Sequence, residues 1–227
     1  MRGYGQYCPV AKAAEILGER WTLLIVRDLI TGAHRFTDLH GGLPGISRTL
    51  LAERLRRLEA DGLVERRRAD GRRAEYWLTA LGLDLEPAVL AIGEWAVRNY
   101  GREPLREEMD SDVLMLWIER NARRDAFPPE RVVVRFEFRG TRPPRSWLVV
   151  KDRSPSVCHD DPGFDIDLVI DSDLRTLHRV FAGRLALSAA LRDGSLTLEG
   201  STQQRHLFSR WFGVSPFAAA AREALAG

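Results

Sequence analysis

Residues 45–73 read GISRTLLAERLRRLEADGLVERRRADGRR. Leu51, Leu55 and Leu58 recur at the three- and four-residue spacing of one helical face. Ser47 stands where an N-cap belongs and Gly62 where a helix closes, so the stretch predicts a helix over 47–61. Beyond it, 63–68 and 73–78 flank Asp70-Gly71, a dipeptide that supplies the positive backbone angles of a tight turn, and these segments predict a two-stranded hairpin.

The chemistry of this stretch is cationic. Residues 44–78 hold nine arginines against six acidic residues, whereas the whole chain carries a formal charge of only +2 and residues 105–227 balance to zero. A helix that enters a DNA major groove needs an apolar stripe to hold it and an opposite face of small, polar or guanidinium groups that reach base edges. Thr49, Ala52, Glu53 and Arg56 fall opposite the leucines. Ser47 and Arg48 lie at the helix N-terminus, where backbone N–H groups favour phosphate, and Arg57 flanks the face. Arg66, Arg67, Arg68, Arg72 and Arg73 crowd the hairpin and suit phosphate contact or a narrow minor groove. A solvated amphipathic helix and a charged edge hairpin would share these features singly; their order is what points to DNA.

Upstream, 10–17 and 21–30 repeat apolar residues at helical spacing around Gly18, and 36–43 is a third helical piece stopped by Gly41, Gly42 and the Leu43-Pro44-Gly45 turn. Downstream, Thr79 caps an expected helix to about Tyr100 whose face carries Leu81, Leu85, Val89, Ile92 and Trp95. Three helices, a turn, a capped helix and a basic hairpin make the winged helix-turn-helix plan. The 101–104 stretch is the expected boundary, giving domains over 1–103 and 104–227.

After that boundary Ser111 is expected to cap a helix through about Arg124, and the period then falls to two. Val132, Val134, Phe136 and Phe138 alternate with polar neighbours, as do Phe164, Ile166, Leu168 and Ile170. Further strands are expected at 147–150, 155–159 and 195–199, with helices over 173–181 and from Ser201, and the last ten residues are read as a loose tail. The fold class is therefore α+β throughout, with an antiparallel sheet in the second domain.

Cys8-Pro9-Val10, GERWTLLIVRDLITGAHRF, GISRTLLAERLRRLEADGLVERR and AEYWLTALG, in that order over residues 7 to about 100, closely resemble the HxlR-type winged-helix transcription regulators. The resemblance implies a homodimer, with the N-terminal segment and the helix after Thr79 at its interface. It also implies binding to inverted-repeat operator DNA, recognition helices roughly 34 Å apart, and repression rather than activation. Wings of that family often carry a longer, proline-containing loop before the Glu-Tyr pair; here Asp70-Gly71 is expected to make a short turn before Glu75-Tyr76. Cysteines at the position of Cys8 act as thiol sensors in some members. Pro9 starts a helix beside it and Lys12 lies one turn on, two features that favour thiolate. The bland alternative is a small buried residue.

The second half resembles a sterol-carrier-protein-like domain through RVVVRFEFRG, SWLVVKDRSPSV, FDIDLVIDSDLRTLHRVFAG, ALRDGSLTLEG and STQQRHLFSRWF. Such domains enclose an apolar tunnel, so Phe136, Phe138, Trp147, Phe164, Phe181, Phe208, Trp211 and Phe212 are candidate contacts for an apolar small-molecule effector; equally, they can simply fill a core. The alternative function is thiol or electrophile sensing through Cys8 with a purely structural assembly domain behind it.

An enzyme is not expected. The five histidines lack paired-ligand spacing, and there is no nucleophile elbow or phosphate-binding glycine loop. Cys158-His159-Asp160-Asp161 is the sole local cluster, and neighbours on a strand point to opposite faces. No catalytic residue, metal site or cofactor is assigned. The start lacks the apolar core of a secretion signal and no run is long enough for a bilayer, so a cytoplasmic protein without a membrane partner is expected, with its two cysteines reduced.

Overall fold

A computed structural model describes residues 3–69, 73–141 and 144–226, the side chains of Ala69 and Arg73 excepted. The chain separates into two compact units, Met1–Ile92 and Gly93–Gly227.

The first unit runs α1 (Pro9–Leu17), α2 (Thr22–Ile30), α3 (Phe36–Gly41), α4 (Arg48–Ala60), β1 (Val64–Ala69), β2 (Arg73–Leu78), α5 (Ala80–Leu83) and the start of α6 (Glu86–Tyr100). Ile25, Val26 and Leu29 of α2, Leu39 of α3, Leu43 and Ile46 of the turn, Leu51, Leu55 and Leu58 of α4, and Leu63, Val64 and Leu78 at the hairpin root form one core. The close of α4 is a Schellman turn. Gly62 adopts φ +72°, its N–H donates to Glu59 O at 3.1 Å, and Leu63 N–H donates to Leu58 O at 3.0 Å, which folds Leu63 back onto Leu58.

One expected helix is two. Thr79 Oγ1 accepts from Gly82 N–H and caps α5 as anticipated, but α5 ends at Leu83 and a new helix begins at Glu86. Pro87 accounts for the restart, since it lacks an N–H and is tolerated in a first turn but not in a helix interior. The expected face splits accordingly: Leu85 and Val89 pack on the core, while Leu81, Ile92 and Trp95 are 57%, 49% and 56% exposed.

The second unit contains a 3-10 turn at Arg106–Glu108, α7 (Ser111–Asn121), a second 3-10 turn at Arg124–Ala126, β3 (Val132–Arg139), β4 (Arg145–Lys151), β5 (Ser154–Cys158), β6 (Leu168–Asp173), α8 (Leu174–Phe181), α9 (Leu187–Arg192), β7 (Leu196–Gly200), α10 (Thr202–Trp211) and α11 (Ala218–Ala226). Its sheet has the order β5-β4-β3-β6-β7. The sheet is mixed, not antiparallel throughout, because β6 pairs β3 in parallel with Val134 opposite Leu168. After β5 the chain passes β4 and β3, and Asp167 seats it: its N–H donates to Val133 O at 2.9 Å while its carboxylate accepts from Val133 N–H at 2.8 Å. Residues 164–167 therefore form the approach to β6, and the expected strand starts only at Leu168.

Two further expectations are corrected, and one segment without an expectation is defined. Asp110, not Ser111, caps α7, accepting from the N–H groups of Asp112 and Val113 at 2.8 and 3.2 Å, because a carboxylate one residue earlier reaches both donors. The segment 187–192, to which the sequence reading assigned no element, is a helix with Ala190 turned into the core. The supposed loose tail forms α11, whose Ala218, Ala220 and Ala221 are buried: alanine is the best helix former and its small side chain permits close packing. Gly183 shows that packing, since a Cβ there would lie 2.5 Å from Ala218 Cβ.

Burial pushes the His178 imidazole below its usual range, Arg184 adding to the effect and Glu103 opposing it. The sign follows directly. The unfolded chain binds a proton near the ordinary value of about 6.5 while the folded chain resists it, so His178 costs no stability above that pH and destabilises progressively as pH falls below it. Denaturation midpoints between pH 7.5 and 5 are expected to fall in the wild type and to fall less in His178→Gln.

Candidate nucleic-acid interface

The site begins with which side of α4 is fixed. Leu51, Leu55 and Leu58 are at most 1% exposed, so the helix cannot roll without uncovering them, at about 1.5–3 kcal/mol per leucine. Thr49, Glu53, Arg56 and Arg57 are exposed and Ala52 is half-buried on the remaining surface. Ser47 accepts from Leu50 N–H at 3.2 Å, which leaves the other first-turn N–H groups beside the exposed Arg48.

The guanidinium groups fall into two sets. Arg57 is held by Asp61 at 3.0 Å, and Arg54, which the sequence reading passed over, bonds Glu19 at 2.5 Å and Glu53 at 3.3 Å. Arg54 also reaches Arg20 O at 3.4 Å, so it braces the helix from the α1–α2 junction. Arg67 pairs with Glu65. By contrast Arg48, Arg56, Arg66 and Arg68 have no ion pair among the described residues; Arg56 spends only its Nε, on Ala52 O at 3.3 Å.

Strand alternation explains the division on the hairpin. Arg66 lies opposite Tyr76 and Arg68 opposite Ala74 on one face, while Glu65 faces Trp77 and Arg67 faces Glu75 on the other. Asp70, Gly71 and Arg72 lie outside the described residues, as does the side chain of Arg73.

Sequence reading also missed a third edge to the hairpin. Tyr76 N–H donates to His34 O at 2.7 Å and Arg35 bridges Glu75, so residues ahead of α3 pair with β2. The His34 ring lies 3.5 Å from that of Trp77 at 13°, with the Arg67 guanidinium 5.0 Å from the same indole. The only signal in the sequence was a tryptophan in a short hairpin strand, which does not identify a partner 43 residues away.

Cys8 is half-buried at the N-cap position of α1, without a side-chain cap bond. The Lys12 ammonium lies 3.0 Å from a Glu15 carboxylate oxygen, and that group also accepts from Tyr4 N–H at 2.8 Å. The cation expected beside the thiol is thus already neutralised by Glu15.

The aromatic residues of the second unit do not form one set. Phe136, Phe138, Phe181, Phe208, Trp211 and Phe212 belong to its core, where Trp211 lies 4.9 Å from Phe127 and 5.1 Å from Phe208. Trp147 is buried on the other face of the sheet, opposite Arg135 and Cys158. Phe164 is 40% exposed beneath the Arg131 guanidinium at 3.8 Å. The expected strand through His159 ends at Cys158, and His159 lies in the bend that follows, so strand alternation does not govern this pair; both residues approach carboxylates of α7. The Cys158 thiol is pushed up by burial and then by Glu119, whereas His159 Nδ1 lies 3.4 Å from Asp112.

A capped helix fixed by its leucines, preceded by a short helix and a turn and followed by an antiparallel hairpin, defines a helix-turn-helix protein with a wing. The sequence comparisons agree. A model of the HxlR-like helix-turn-helix matches residues 16–104. YvaP of Bacillus subtilis (strain 168), named as an uncharacterized HTH-type transcriptional regulator, is 40% identical over 94 residues, which cover 40% of this chain and 87% of YvaP. Rv3095 of Mycobacterium tuberculosis, named likewise, is 44% identical over 88 residues, 38% of this chain and 55% of that one. Among solved structures, the reduced form of the transcriptional regulator YodB from B. subtilis superposes with a TM-score of 0.37 at 34% identity, covering 41% of this chain and 95% of YodB. The redox regulator HypR in its reduced form gives 0.39 at 35% identity, covering 41% and 94%. The chain belongs to the HxlR-like helix-turn-helix family of transcriptional regulators.

Removing the Ser47 cap is expected to cost about 1 kcal/mol, read as a lower denaturation midpoint in Ser47→Ala and recovered in Ser47→Asp, whose carboxylate caps equally well.

Proposed function

We propose that the protein is a homodimeric, sequence-specific repressor that binds inverted-repeat operator DNA through α4 and its wing. The observation that carries the reading is the surface of α4 opposite its buried leucines, which leaves Thr49, Glu53 and Arg56 exposed and Ala52 half-buried beside them. In this reading those four address base edges in the major groove. Ser47, Arg48 and Arg57 address phosphates, Arg57 after exchanging Asp61 for DNA, and Arg66, Arg68, Arg72 and Arg73 grip the backbone from the wing. The exposed Ile92 and Trp95 of α6, together with Val10 of α1, support dimerisation, since apolar groups of this size gain by leaving water. Access to chromosomal DNA places the protein in the cytoplasm.

The proposal assigns residues 1–103 to DNA binding and dimerisation and 104–227 to a sterol-carrier-like module, which a five-stranded sheet with α7, α8 and α10 against it supports. Its regulatory part is an apolar small molecule held by the aromatic side chains. Six of these are interlocked in the core, so binding requires their displacement and is weaker than binding to an open tunnel.

Fluorescence anisotropy with an operator selected from random duplexes, beside a scrambled duplex, tests the DNA reading. Thr49→Ala and Arg56→Ala are expected to lose about tenfold on the selected DNA and little on the scrambled one, while Arg66→Ala with Arg68→Ala weakens both and lowers the salt slope by about two. Equal losses on both duplexes for the α4 variants would overturn it. Footprints are expected in two half-sites about one helical turn apart.

A second reading, thiol sensing by Cys8, is favoured by the position of its sulfur, only half-buried at the N-cap of α1 and so within reach of an oxidant. In that reading the second unit only assembles. Diamide is then expected to lower operator affinity in the wild type and to leave Cys8→Ser unchanged; equal affinity of treated and untreated wild type would remove it.

A further inference from the structure

We propose that His34, Trp77 and Arg67 form a stack that sets the pitch of the wing, making His34 a positioning residue for DNA binding. The inference rests on the DNA-binding reading above and adds residues that reading leaves without a role.

Trp77 lies on the hairpin face that carries Glu65, Arg67 and Glu75, whereas the hairpin root enters the core through Val64 and Leu78 on the opposite face. Its indole would thus be uncovered but for two neighbours. His34 stacks on it with centroids 3.5 Å apart, and Arg67 approaches the ring at 5.0 Å while paired to Glu65. The stack is anchored on both strands and on the helical body. Trp77 Nε1 donates to Glu75 Oε2 at 3.3 Å, and Arg35 Nε lies 3.7 Å from the other oxygen of that carboxylate. His34 Nδ1 lies 3.1 Å from Tyr76 O, which can only accept, so Nδ1 carries the hydrogen.

The geometry gives the stack a consequence that reaches beyond packing. A two-stranded hairpin is marginal by itself and free to swing about its root. Here His34 lies two residues ahead of α3, the helix that leads through the turn into α4, so the stack ties the wing to the same element that positions the recognition surface. Arg67 is consumed in the tie, and its neighbours Arg66 and Arg68 are turned to the other face with no ion pair among the described residues. Holding the wing at one pitch before DNA arrives removes part of the ordering cost of binding.

The test uses the full chain and the selected operator, with anisotropy read across a salt series. His34→Ala is expected to weaken binding about three- to tenfold with the wild-type salt slope, because no phosphate contact is deleted. Trp77→Ser should reproduce that loss, and His34→Phe, which keeps a flat ring over the indole, should return to within about twofold of wild type. Arg66→Ala with Arg68→Ala provides the contrast, since true phosphate contacts lower the slope. Wild-type affinity in His34→Ala, a reduced slope in that variant, or failure of His34→Phe to restore binding would each overturn the proposal. Absence of operator preference in the wild type would instead overturn the underlying reading.

Discussion

Everything in the first unit follows from the burial of one stripe of leucines. Leu51, Leu55 and Leu58 fix the rotation of α4 about its own axis, and with it the identity of every side chain that faces outward. The same three residues receive Leu63, Val64 and Leu78 from the hairpin root, so the wing begins at a defined place at the end of α4. Thr79 completes the join, donating its N–H to Leu63 O at 3.0 Å and its hydroxyl to Gly62 O at 2.7 Å before capping α5. A helix held this way presents a surface rather than merely possessing one.

Charge is distributed by the same geometry. A count of arginines describes residues 44–78 as a basic patch, but Arg54, Arg57 and Arg67 are engaged with Glu19, Asp61 and Glu65 and act as struts. Arg48, Arg56, Arg66 and Arg68 have no such partner among the described residues, and on the hairpin strand alternation turns Arg66 and Arg68 to the face away from Glu65 and Glu75. A strut and a free cation contribute equally to formal charge and differently to binding, since only the second meets a phosphate without first breaking an ion pair.

Local rules account for what was legible in the sequence. Ser47, Gly62, Thr79 and the leucine spacing each act within a few residues, and the structure places a cap, a left-handed closing residue and a buried stripe at those positions. Pro87 was equally local evidence for a break before α6, and the regular apolar spacing across it concealed the signal. What was not legible depends on partners distant in the chain. Period-two alternation indicates a strand without naming its neighbour, so the parallel pairing of β3 with β6 and the separation of Trp147 from the other aromatics had no signature. The contact of His34 with Trp77 is of the same kind. An alanine run reads as low complexity until another surface comes close enough to use its small size, as Gly183 does with Ala218.

The parallel register of β3 and β6 governs how the second unit is made. The central strand emerges during synthesis long before residues 168–173, and until they arrive one of its two edges has unpaired backbone donors and acceptors. The β3–β4–β5 meander forms early by short-range turns, whereas closing the other edge waits for a connection that skips two strands. During that interval the nascent chain displays a valine-rich edge, Val132 to Val134, to any strand that meets it. Folding of this unit therefore carries a window of vulnerability to aggregation that the helical half, built from near neighbours, does not share.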